Sequence, residues 1–348
     1  MTGKTSLFTI LTGVHQETRI GSTAVRTGVT KVPDPRLDEL AKIFEPPKIT
    51  SASVEYADMP SISKETLRDP SYLATLRVVD AFAHVLRFFK DESVPHEKGS
   101  VDAVRDLEDV ETELILTDLV VIEKRLERLD KDRKKIKSPE LDHEFELLQK
   151  CKAELDENRP LRNLTLDPDE EKRVRGFQFL SQKPMLFVLN LDESDVSLMQ
   201  EREEEFRKST LAGRKNTEAT AICGKVEAEL AELPPEEAAE FLAGFGLKES
   251  GLMRLIGATY RLQGLMSFLT AGETEVRAWT VPIGSTAQKA AGAIHSDFEK
   301  KFIRAEVVNW KNLVDLKGYP GVREKGLLRL EGKEYIVKDG DVLVIRHG

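Results

Sequence analysis

Three stretches of the chain carry apolar residues in nearly unbroken runs: AFAHVLRFF (81–89), PMLFVLNL (184–191) and ATAICG (219–224). Runs of this length suit strands covered on both faces, as in a parallel sheet flanked by helices. A fourth stretch, SASVEYADMP (51–60), alternates instead, with Val54, Tyr56 and Asp58 on one face. TAVRTGVTKVP (23–33) reads as extended and ends at the turn Pro33-Asp34-Pro35, whose prolines restrict the backbone. Between these lie helical stripes: SLFTILTG (6–13), then Leu37, Leu40, Ala41 and Phe44. Strands alternating with helices predict an α/β fold with a doubly wound, mostly parallel sheet.

The texture changes after residue 92. Ile115, Leu119, Ile122, Leu126 and Leu129 recur at alternating spacings of four and three, the seam of a coiled coil. Ser138-Pro139-Glu140 restarts a helix, with Ser138 as the cap and Pro139 where a missing N–H costs nothing. Leu141, Phe145, Leu148, Cys151 and Leu155 continue the stripe. The pattern predicts an antiparallel helical hairpin inserted into the sheet domain; an ordinary two-helix packing layer is the alternative. From residue 276 the pattern changes again. VRAWTVPIG and AEVVNW read as strands around a helix over 287–302, and turns at Glu331-Gly332 and Asp339-Gly340 divide a final meander. Such a module suggests a ubiquitin-like β-grasp. The domains drawn on this basis are 1–92 with 178–275, 93–177, and 276–348.

Net charge is −9 over 348 residues, unevenly spread. From residue 276 onward there are 13 Lys+Arg against 9 Asp+Glu, a net +4, which leaves −13 for the rest. A basic terminal module on an acidic body fits a nucleic-acid-facing tip, here RNA rather than DNA, although a solvated small domain explains the charge equally well. Trp279, Trp310 and Tyr335 could stack on bases or lie in the core. Cys151 and Cys223 are the two cysteines, which suits a reducing cytoplasm rather than a disulfide framework. No apolar run reaches the ~20 residues needed to span a bilayer.

The chemistry begins at Gly3-Lys4-Thr5. A phosphate-binding loop reads G-x-x-x-x-G-K-[ST], after a buried strand and at the head of a helix. Here Gly3, Lys4, Thr5 and Ser6 supply its second half and the helix follows at once. The front half and its strand are expected upstream, with Met1 a mis-assigned start. Lys4 is placed for the β- and γ-phosphates of ATP or GTP, and Thr5 for Mg²⁺. Asp58, ending a strand, is placed to hold Mg²⁺ as well; capping the next helix is its other reading. GTPases carry D-x-x-G there, whereas this chain has Asp58-Met59-Pro60-Ser61. Ser61 behind a proline is stiffer than glycine, so γ-phosphate sensing is expected to be impaired. After the 184–191 strand come Asn190-Leu191-Asp192-Glu193, where GTPases have N-K-x-D. Asn190 is placed to tie loops together, and Glu193, one methylene longer than Asp, relaxes guanine preference. Cys223-Gly224 lies where a backbone N–H backs the base. Ile62 stands where a catalytic Gln is usual.

With these positions the chain resembles the YchF/Obg-like ATPase family of P-loop proteins. The resemblance runs over nearly the whole chain, through TGVTKVPDPRLDEL (27–40), DAFAHVLRFF (80–89), the Asn190/Glu193 variant, AELPPEEAAEFLAGFGLKESGLMRLI (231–256) and, most strongly, 275–310 and 330–346. It implies a nucleotide-binding domain, an inserted coiled coil and a C-terminal TGS module. It also implies a ribosome-associated, Mg²⁺-dependent hydrolase of ATP, GTP or both. The hydrophobic residue such proteins keep at the catalytic Gln position corresponds to Ile62, and the nearest match to a switch threonine is Ser22 or Thr23.

Overall fold

The computed structural model describes residues 2–14, 25–94, 96 and 98–348. Ser22 and Thr23 lie outside the described residues. The chain divides into two compact units, residues 1–26 with 57–258 and residues 27–56 with 259–348. Residues 27–56, drawn with the nucleotide domain from sequence, therefore group with the C-terminal segment.

From its start the chain forms α1 (Lys4–Thr12), β1 (Arg26–Lys31), α2 (Pro35–Phe44), β2 (Ile49–Thr50), β3 (Ser53–Asp58), α3 (Pro70–Val78) and β4 (Phe82–Arg87). The helical segment follows, α4 (Ala103–Lys135), α5 (Pro139–Asp156) and α6 (Pro168–Val174). Then come β5 (Met185–Asn190), α7 (Met199–Ser209), β6 (Thr217–Ile222), α8 (Gly224–Glu232), α9 (Pro235–Gly244) and α10 (Gly251–Leu262).

In the first unit β4, β5 and β6 form a parallel sheet with β5 central, Val85 facing Val188 and Val188 facing Thr220. Every residue of β5 is buried, as its unbroken apolar run requires. Phe187, Leu189, Leu86, Ala219, Met199 and Phe206 are among the side chains that fill this core. β3 does not join this sheet; it pairs with β1. The doubly wound sheet expected from sequence is thus three strands among the described residues. Its alternating pattern explains why β3 is separate: only its last residue, Asp58, is fully buried.

α4 and α5 pack antiparallel, as the ion pairs Arg133–Asp142, Arg125–Glu144 at 2.7 Å and Glu123–Lys152 at 3.1 Å show. Ile115, Ile122, Leu129, Leu148, Cys151 and Leu155 are buried between them. Ser138 precedes α5 and Pro139 opens it, but the hydroxyl donates to Glu140 Oε2 at 2.7 Å instead of capping a backbone N–H. Glu140 follows closely enough to capture it. The base of the hairpin is held by a buried charge pair, Arg162 Nη1 on both Glu111 oxygens at 2.8 and 2.6 Å. Asp118, fully buried, accepts the backbone N–H groups of Leu180 and Ser181 at 2.9 and 2.7 Å. Burial raises the Asp118 carboxyl above its usual range despite those bonds.

The second unit continues with β7 (Leu265–Ala271), β8 (Val276–Pro282), α11 (Ala287–Ile294), α12 (Ser296–Lys300), β9 (Phe302–Asn309), α13 (Trp310–Asp315), α14 (Tyr319–Glu324), β10 (Arg329–Glu331) and β11 (Asp341–His347). Its sheet runs β10-β9-β11-β7-β8-β2, with β11 parallel to β7 and antiparallel to β9. The turns at 331–332 and 339–340 close no hairpin, because β9 lies between β10 and β11. The helix expected over 287–302 breaks at His295, whose extended backbone and ring Nδ1 cap α12 through the Asp297 N–H. Trp279 donates to Thr270 at 3.0 Å and packs, like Tyr335, against the core on one face of the sheet. Trp310 packs on the other face. All three aromatics are half-buried, packed against the core clusters of this unit.

Candidate functional site

Gly3 opens α1 in the left-handed region, with φ 86°. A Cβ there would stand 2.5 Å from Asn190 Nδ2, so glycine is required by both conformation and space. The first turn of α1 contains no acidic side chain, and its free N–H groups and dipole favour an anion. Leu7 and Phe8 anchor the helix by burial.

Asn190 ends the central strand, and its side chain joins two loops. Nδ2 donates to the Thr2 carbonyl at 2.9 Å, and Oδ1 accepts the Gly224 N–H at 2.9 Å. The start of α1 and the start of α8 are therefore tied to the carboxyl end of β5, where ligands of open parallel sheets bind. The tying role read for Asn190 from sequence is seen directly. The Gly224 N–H, expected to face a base, is committed to Asn190.

Lys4 and Thr5 face the end of β3. Lys4 Nζ lies 2.7 Å from Asp58 Oδ1 and also donates to the Met59 carbonyl, while Thr5 Oγ1 donates to Asp58 Oδ2 at 3.1 Å. Asp58 caps no helix. Arg26, at the start of β1, bonds the same Oδ2 through Nη2, and its guanidinium lies 5.4 Å from the Phe8 ring centroid. Burial alone would raise the Asp58 carboxyl; the bonds from Lys4, Arg26 and Thr5 outweigh it and hold the group below its ordinary value of 3.8. It is therefore an anion throughout the physiological range.

The loop after Asp58 is pinned. Tyr72 donates to the Pro60 carbonyl at 2.8 Å, and Thr66 donates to the Ser61 carbonyl at 3.0 Å. Ile62 is half-buried against the core of the first unit. Gly3, Lys4, Thr5, Asp58, Asn190 and Gly224 thus come together, and Cys223 lies buried beside them, its thiol raised by burial. Ser6 is exposed on α1. Glu193 is exposed at the head of a short turn capped by Asp192, apart from the Asn190 bonds. Arg26 was not foreseen. The buried row of β1 is Arg26, Gly28 and Thr30, while Val29 is exposed, so the strand inverts the usual apolar-inward rule. That inversion is the one sequence signal that could have marked it.

Residues 265–348 match the family model YchF-GTPase_C, described as a protein of unknown function (DUF933). The chain is 39% identical over 351 residues to the ribosome-binding ATPase YchF of Bacillus subtilis (strain 168), covering 99% of this chain and 96% of that protein. It is 38% identical over 354 residues to the protein of the same name from Escherichia coli O157:H7, covering 98% and 95%. Among solved structures, the Schizosaccharomyces pombe YchF GTPase superposes with a TM-score of 0.83 at 26% identity, covering 99% of this chain and 95% of that one. With full-length identity at this level, and a site assembled at the positions that carry the resemblance, the chain belongs to the YchF family.

Proposed function

We propose that this chain binds ATP or GTP at the junction of α1, β3 and β5, hydrolyses it slowly, and acts as a nucleotide-dependent switch on ribosomes in the cytoplasm. The observation that carries the reading is the convergence of Lys4, Thr5 and Asp58 with the Asn190 tie at one helix N-terminus. The names of the relatives supply the ribosome and the nucleotide. The second unit, with β11 parallel to β7 at the centre of its sheet, is read as a TGS-type β-grasp, and the α4–α5 hairpin as the inserted coiled coil.

Lys4 is a third exposed and can leave Asp58 for a phosphate oxygen. The N–H groups of the first turn of α1 would hold a second oxygen. Thr5 Oγ1 and the Asp58 carboxylate are hard oxygen donors 3.1 Å apart, the kind Mg²⁺ takes, but Arg26 already holds the Asp58 oxygen next to Thr5, so Mg²⁺ would be held here mainly by phosphate and water. When bound, it would supply positive charge opposite the β- and γ-phosphate oxygens. Gly3 allows the backbone to come close to the ligand, and Asn190 fixes the loops on either side. Cys223, Gly224 and Glu193 are read as the base side of the site: Gly224 and Cys223 stand beside Asn190, and the exposed Glu193 would have to turn towards the base. Ile62 offers no group to orient a water, so turnover rests on positioning and charge.

Saturable binding of fluorescent ATP and GTP analogues, together with cosedimentation with ribosomes that changes between nucleotide-bound and nucleotide-free protein, is the expected result. The pinned loop after Asp58 favours one second reading, a ribosome- or RNA-binding scaffold that has lost turnover. Ribosome binding by Lys4→Ala equal to wild type under all nucleotide conditions would select the scaffold.

A further inference from the structure

Asp58 Oδ2 is shared. It accepts the Thr5 hydroxyl at 3.1 Å and the Arg26 guanidinium at once, while Oδ1 takes Lys4. The oxygen next to the hydroxyl that would ligate Mg²⁺ is thus the one that Arg26 holds. Arg26 is buried, its side chain only 6% exposed, and packs over Phe8. It cannot be dismissed as a surface ion pair. When Lys4 turns to a phosphate, Arg26 still neutralises Asp58, and a fixed guanidinium remains beside the Thr5 hydroxyl.

We infer that Arg26 is a built-in cation of the triphosphate site, occupying the place where Asp58 would otherwise reach Mg²⁺ through water. One consequence follows from charge. With Oδ2 held by Arg26 and neutralised by it, the Asp58 carboxylate offers Mg²⁺ no free negative oxygen beside Thr5, so this chain's nucleotide complex holds Mg²⁺ weakly. Nucleotide affinity then depends little on Mg²⁺. Arg26 acts here as a positioning residue, and the inference rests on the nucleotide-binding reading above.

The test is equilibrium binding of a fluorescent ATP analogue to the full chain, in Mg²⁺ and in EDTA, for wild type, Arg26→Gln and Arg26→Lys. Thermal unfolding of each variant checks that it is folded. For wild type the two affinities should differ by less than about threefold, and for Arg26→Gln by more than about tenfold, since one fixed charge is being exchanged for a mobile ion. Arg26→Lys should lie between. Mn²⁺ paramagnetic resonance gives an independent readout: the Arg26→Gln nucleotide complex should hold Mn²⁺ more tightly than wild type. A wild-type complex whose affinity collapses in EDTA, measurable even if Arg26→Gln does not fold, overturns the inference while leaving the nucleotide site intact. So does equal Mg²⁺ dependence in wild type and Arg26→Gln. Absence of saturable binding in both conditions overturns the parent reading, and this one with it.

Discussion

At the residue scale the site depends on a few atoms with no slack. Gly3 adopts a left-handed conformation against Asn190. Gly3→Ala should therefore strain the loop and displace the Asn190 side chain, lowering nucleotide affinity at least about tenfold, with a lower melting temperature. Asn190→Ala removes two hydrogen bonds, to Thr2 and from Gly224. Its cost should be about 1–3 kcal/mol by urea unfolding, at about 0.5–1.5 kcal/mol per bond. The Lys4, Thr5 and Asp58 group was legible in sequence, because a G-K-T at a helix start and an acid at a strand end have known partners. Arg26 was not, because nothing in a linear pattern says which carboxylate a buried arginine will meet.

At the element scale, two buried groups set measurable stabilities. Arg162 and Glu111 are both buried and paired by two bonds. Glu111→Ala leaves a buried cation and should cost about 3–5 kcal/mol in urea unfolding, whereas the double variant Glu111→Leu/Arg162→Met should recover part of that loss. On β4, the His84 ring is half-buried, yet its Nδ1 is enclosed and without a hydrogen-bond partner. Burial pushes it down from 6.5 to about 4. The unfolded chain therefore binds a proton that the folded chain excludes between those values. Stability should fall as pH drops from 6.5 towards 4, and His84→Phe should flatten that slope in pH-dependent thermal unfolding. The elements themselves were legible wherever the apolar pattern was unambiguous: the runs of β4, β5 and β6, and the stripes of α4 and α5. β7 was missed because only two residues, Gln263 and the left-handed Gly264 with φ 61°, separate its apolar run from α10. The turns read near the C-terminus do not join neighbouring strands of a meander, because a tight turn does not specify which strand comes to lie alongside.

At the scale of the whole molecule, the chain brings residues from its first five positions, from residue 58 and from residue 190 to one helix N-terminus in its first unit. The C-terminal segment and residues 27–56 form a separate unit, in which β2 joins the six-stranded sheet while β1 and β3 pair with each other, a grouping that no local pattern announces, since it joins segments more than two hundred residues apart. The account's central claim is that the first assembly holds one nucleoside triphosphate. Calorimetric titration of ATP and GTP into the full chain tests it most directly, with Lys4→Ala alongside. One nucleotide should bind per chain, and Lys4→Ala, folded by its melting curve, should bind at least about tenfold more weakly, the loss of about 1.4 kcal/mol or more of phosphate contact. Binding of undiminished strength in Lys4→Ala, or no binding by the wild-type chain, would contradict it.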